Sequence, residues 1–168
     1  MDWLSTHIVV NHYDYLREEL PRLQHLVDSV ASSGEARHPA LIELRQEFRS
    51  LRAALERLMR HAEACLFPIC EAVEQTGESA EAAQESVDAA IRVDVDEHEA
   101  AHHCLRRIRE LSREFTPPAE LRSSYWVLLD GLTALETELN LHLDAEHCLL
   151  FPRGRAAEAQ SPAARLQA

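Results

Sequence analysis

The chain has 168 residues, ten of them His, and a formal net charge of −12 with His neutral. That charge argues against nucleic acid or an anionic membrane as a partner, and no apolar run approaches the roughly 20 residues a membrane span needs. Only 4 Gly and 5% aromatics, on a background of Ala, Leu, Glu and Arg, favour helices over sheets.

Four long amphipathic stretches follow one another. The first is predicted over about Ser5–Ser32, with Ile8, His12, Leu16, Leu20, Leu23, Val27 and Val30 on one stripe and Ser32-Ser33-Gly34 as the stop. The second starts near Pro39, a residue suited to a first helical turn. Its stripe is Leu41, Leu44, Phe48, Leu51, Leu55, Leu58, Ala62, Cys65 and Ile69, with a bend expected at Pro68. The third runs from about Ser79 to Phe115, with Val87, Ile91, Val95, His98, His102, Leu105, Ile108 and Leu111 in line. Thr116-Pro117-Pro118 breaks the pattern. The fourth carries Leu121, Tyr125, Leu128, Leu132, Leu135, Leu139, His142, Glu146 and Leu149, and ends at Phe151-Pro152. Short links between four such helices predict an all-α, antiparallel up-down four-helix bundle over residues 1–153, with residues 154–168 as a flexible tail. The N-terminus lacks a basic-then-apolar leader, and Cys65, Cys70, Cys104 and Cys148 form no close zinc-type pair, so the reading is cytoplasmic with free thiols.

Two stripes carry paired donors, His98-x3-His102 and His142-x3-Glu146. Residues four apart share a helix face, so each pair can grip one ion. A single inward His is ordinarily a satisfied core residue, but four polar groups on two apolar seams are expensive to bury without a shared partner. That points to a metal ion within the bundle. Helices two and four also end alike, in Cys65-Leu66-Phe67-Pro68 and Cys148-Leu149-Leu150-Phe151-Pro152. Aligned on Phe-Pro, the places of His142 and Glu146 fall on Leu58 and Ala62, so helix two keeps the frame without the donors. His61 and Glu63 start off that axis. Helix one offers His12, with Tyr13 as the alternative. Asp94, Asp96, Glu97 and Glu99 read as a solvated face, Cys65 and Cys104 as small core residues, and Trp126 as a packing residue. Nitrogen and oxygen donors suit iron, zinc or manganese alike. No phosphate loop or nucleophile elbow is present, and no substrate or catalytic constellation is readable.

Several strings carry a resemblance: His12-Tyr13-Asp14-Tyr15-Leu16-Arg17-Glu18-Glu19-Leu20-Pro21, Leu66-Phe67-Pro68, Glu97-His98-Glu99, Thr116-Pro117-Pro118, and His142-x3-Glu146-x4-Phe151-Pro152-Arg153. The chain resembles, over about residues 7–153, the hemerythrin-like domain of the repair-of-iron-centres (iron–sulfur cluster repair di-iron) family. The resemblance implies a non-haem di-iron bundle linked to recovery from nitric oxide and oxidative damage. It places ligands at His98, His142 and Glu146, at Leu58 and Ala62, at Tyr13 beside His12, and near Ser33 in the first interhelical loop, with His38 nearby. His102 is additional to that pattern. With a bridging carboxylate missing, one ion held by His98, His102, His142 and Glu146, with His12 close by, is expected. The Leu58–Ala62 wall then leaves a position for a small diatomic ligand, nitric oxide or oxygen. The alternative is a metal-free bundle serving as an interaction or regulatory module.

Overall fold

The computed structural model describes residues 12–34, 39–76, 81–115 and 123–145. Among them are α1 (Asp14–Gly34), α2 (Ala40–His61), a π turn (Ala62–Leu66), α3 (Phe67–Thr76), α4 (Glu81–Leu111) and α5 (Ser123–Ala145), and no strand. α2, the π turn and α3 form one bent rod, so there are four rods, as the periodicity predicts. The expected tail and the ends of the first and fourth stretches lie outside the described residues.

Contacts between rods fix the topology. Arg17 pairs with Glu63 and Asp28 with Arg49, so α1 runs antiparallel to the α2 rod. Glu43–Arg107, Arg57–Glu97 and His61–Ala90 set α4 antiparallel to α2. His12–Glu138 holds α5 against α1, and Arg109–Glu136 ties it to α4. The result is the up-down bundle expected from the short links. α5 approaches α1 closely at Gly131, where an added Cβ would stand 2.6 Å from Leu23 Cδ2.

The core follows the predicted stripes on three rods. Leu16, Leu20, Leu23 and Val27 of α1, Leu44, Phe48, Leu51 and Leu55 of α2, and Leu128, Leu132 and Leu135 of α5 are all buried. Two stripes differ from the sequence reading. On the second rod, burial passes from Ala62 to Leu66 and Phe67, and Cys65 is exposed. The π turn is the cause. Pro68 has no N–H to offer the Ala64 carbonyl, and Phe67 N–H reaches back five residues to Ala62. The wider turn changes the angular spacing of the residues within it, and Cys65, inside it, faces out.

On α4 the inward line is Ala90, Asp94, His98, Ala101, Leu105 and Ile108, not the line through Ile91, Val95 and His102. Asp94 is therefore fully buried, where a solvated face was expected. The helix stops at Leu111, short of the expected Phe115. Arg113, Glu114 and Phe115 take left-handed φ of 52°, 56° and 56°, and Ser112 accepts the Phe115 N–H. Trp126, expected to pack, is 59% exposed on the outer side of α5.

Candidate metal centre

At one end of the bundle three rods bring aromatic nitrogen donors together. The His142 ring of α5 lies 5.3 Å from that of His98 on α4 and 5.4 Å from that of His12 at the start of α1. Tyr13 sits edge-on to His142 at 5.3 Å and stacks on Phe67 at 6.0 Å. Two imidazoles gripping one ion through nitrogens at ~2.1 Å have centroids about 5 Å apart, so the His98–His142 spacing fits a shared ion. Leu58 and Ala62 of the second rod are both fully buried.

Hydrogen bonds assign ring tautomers. His98 Nδ1–H donates to the Asp94 backbone carbonyl at 2.9 Å, an intrahelical bond one turn back. His12 Nδ1–H donates to Glu138 Oε1 at 2.5 Å. In the neutral form of either ring Nε2 would carry the lone pair a metal needs, with Nδ1 anchored in the way ligating histidines usually are. Burial holds the His142 imidazole neutral. Its pKa is pushed down to about 3, first by desolvation, then by the neighbouring His98 and His12. A neutral imidazole is the metal-binding form.

The predicted donors divide. His12, His98 and His142 are brought together. His102 lies one position off the seam, half-buried, in a solvent-open cleft with Asp96, Glu99, His103 and Arg106. Its pKa is lowered by desolvation, then by His98 and Arg106. Glu146 and His38 lie outside the described residues. Ser33, the loop position implied by the resemblance, is twenty residues along α1 from Tyr13, about 30 Å at ~1.5 Å per residue, and its hydroxyl bonds the Val30 carbonyl. His61 donates to the Ala90 carbonyl at 3.0 Å, and Glu63 pairs with Arg17 at 2.6 Å, so neither turns inward to replace the missing helix-two donors.

The sequence reading missed Asp94. It stands four residues before His98 on the same seam, 0% exposed, with Oδ2 3.3 Å from His98 Nδ1. The signal was its place in the Ala90-Asp94-His98-Ala101 run, which has the same three-and-four spacing as the chosen stripe. Among the described residues no group of three His, Cys, Asp or Glu is drawn tightly enough to hold an ion. The side chains that approach one another are the imidazoles of His12, His98 and His142, nitrogen donors of the kind that bind divalent cations. No helix among the described residues is long and apolar enough to cross a membrane.

Residues 4–154 match the hemerythrin family, described as the hemerythrin HHE cation binding domain. The chain is 30% identical over 153 residues to the iron-sulfur cluster repair protein YtfE of Edwardsiella ictaluri, covering 91% of this chain and 65% of that one. It is 26% identical over 148 residues to the iron-sulfur cluster repair protein ScdA of Staphylococcus haemolyticus, covering 88% and 64%. A probable iron-sulfur cluster repair protein of Haemophilus influenzae is 28% identical over 159 residues, covering 90% and 67%. The chain thus spans just under two thirds of the length of the first two relatives.

Proposed function

Because the chain belongs to the hemerythrin HHE cation-binding domain family, we propose that it binds non-haem iron in its helical bundle and acts in iron handling or in relief of nitrosative and oxidative stress. The observation that carries this reading is the convergence of His12, His98 and His142 from three rods at one buried level. The names of its relatives, iron-sulfur cluster repair proteins, support a role alongside cluster repair.

His98 and His142 would hold the ion through nitrogen, Glu146 would add a charged oxygen, and His12 would complete the set. His102, off the seam, is left out of it. Iron bound there supplies an open coordination position for a small diatomic ligand such as nitric oxide or oxygen. The remaining work falls to the chain itself. The Asp94 carbonyl and the Glu138 carboxylate orient the rings of His98 and His12. Leu58 and Ala62 close the second-rod side with hydrocarbon, which excludes water and offers no donor. That wall favours one ion over two.

The same wall also suits the rival reading, a metal-free interaction module. Elemental analysis of anaerobically purified protein separates them. About one iron per chain is expected, and His142→Ala should abolish its retention. A variant with undiminished iron would sink the ligand assignment. A wild-type chain that neither contains nor takes up iron, zinc or manganese would leave the interaction module as the better account.

A further inference from the structure

We propose that the outer face of α5 joins two copies of this chain, packed antiparallel about a two-fold axis that passes between Thr133 and Ala134. Such a pairing needs no bound ion.

α5 is apolar on two sides. Leu128, Leu132, Leu135 and Leu139 turn into the core. The outer side exposes Trp126 and Val127 near one end and Leu141 near the other, at 59%, 50% and 55%. Between these ends the exposed positions are Asp130, Thr133, Ala134, Thr137 and Asn140, so the strip carries one charge. The other rods differ: Arg17, Glu18 and Arg22 face out from α1, and Arg49, Arg57 and Arg60 from α2. The hydroxyls of Thr133 and Thr137 donate to the carbonyls of Leu129 and Thr133, which lets both be covered without an unpaired donor. At the flanks Glu136 and Glu138 are already paired, with Arg109 and His12. A helix that is apolar on opposite sides is the kind that packs on both.

Charge and residue order point to a second copy as the occupant. A net charge of −12 makes two copies repel over most of their surfaces, and this nearly uncharged strip is where they can touch. The strip also reads as its own complement, as a two-fold interface requires. Positions equidistant from the axis are Trp126 with Leu141, Val127 with Asn140, and Asp130 with Thr137. An antiparallel copy therefore sets each Trp126 against the partner's Leu141, and the small Thr133 and Ala134 at the crossing let the two backbones approach. Each Asp130 falls beside the partner's Thr137. The two Asp130 carboxylates stay about 10 Å apart along the axis, at ~1.5 Å per residue. A parallel copy would bring them face to face. One helix face is small beside the roughly 800 Å² per partner of a standard interface, so a dissociation constant on the order of micromolar is expected.

Light scattering on the full chain as it elutes from a sizing column, over roughly 5–500 µM, should show monomer converting to dimer. Ala134→Glu places two carboxylates together at the axis and should raise the dissociation constant at least ~10-fold. Because Ala134 is exposed, the dilute variant should melt where the dilute wild type does. In a Cys65→Ser background under mild oxidation, Asp130→Cys and Thr137→Cys should each fail to link to themselves and should link to each other when mixed, with the bond located by peptide mass spectrometry. A chain that stays monomeric throughout overturns the proposal, and the strip would then be covered by another segment of the chain or by a different protein. So do a dimer that Ala134→Glu leaves intact, a mixed pair that does not link, and an Asp130→Cys chain that links to its counterpart through residue 130.

Discussion

Burying the His142 ring carries a cost, and that cost is readable as a function of pH. Its folded-state pKa of about 3 lies below the ordinary 6.5. The unfolded chain therefore binds the proton more readily, and stability falls as pH drops through that window. Single-site linkage gives a loss of about 2 kcal/mol between pH 7 and pH 5, and about 4 kcal/mol by pH 3. The rings against it are those of His12 and Tyr13, at the head of α1, and of His98 on α4. Glu138, one turn back on α5, is occupied with His12. Titrations away from the cluster are common to the wild type and to His142→Leu, so the difference between the two reports this ring together with its coupling to His98 and His12. Chelator-treated wild type should lose roughly 4–8 °C more in melting temperature than His142→Leu on going from pH 7 to pH 5. Equal losses in the two proteins would refute the claim that a neutral imidazole is held there by burial.

Two further outcomes test the packing. Gly131→Ala gains about 1 kcal/mol of helix propensity, but its Cβ would meet the fully buried Leu23 at 2.6 Å, and overpacking costs about 1–3 kcal/mol. A net destabilisation of roughly 1 kcal/mol is expected by urea denaturation, and a more stable variant would mean that α1 and α5 stand further apart. Cys65 is exposed, whereas Cys104 is 8% exposed and burial, followed by Glu47, pushes its thiol pKa up. An alkylating reagent applied to native protein should label Cys65 well ahead of Cys104, read by peptide mass spectrometry. The reverse order would place the π turn's rotation in error.

The sequence by itself determined the rods, their antiparallel order, and which face of α1, of α2 as far as Ala62, and of α5 turns inward. Apolar residues there recur at helical spacing with few competitors, so burial has a single phase to choose. It also marked His98 and His142, because a polar group inside such a stripe stands out. On α4 the pattern is degenerate. Ile91, Val95 and His102 trace one line and Ala90, Asp94 and Ala101 another, offset by ~100° per residue. Hydropathy favours the first line, yet contact with the second rod and α5 buries the second. Tertiary packing alone therefore placed Asp94 inside and His102 at the rim. It also committed His61 to the Ala90 carbonyl and Glu63 to Arg17. The π turn before Pro68 belongs to the same class: a proline announces a disturbed hydrogen bond, but only the packing of Leu66 and Phe67 decides that the chain answers with an extra residue and turns Cys65 to solvent. Periodicity fixes how often a face recurs along a helix, and the neighbouring helices fix where that face begins.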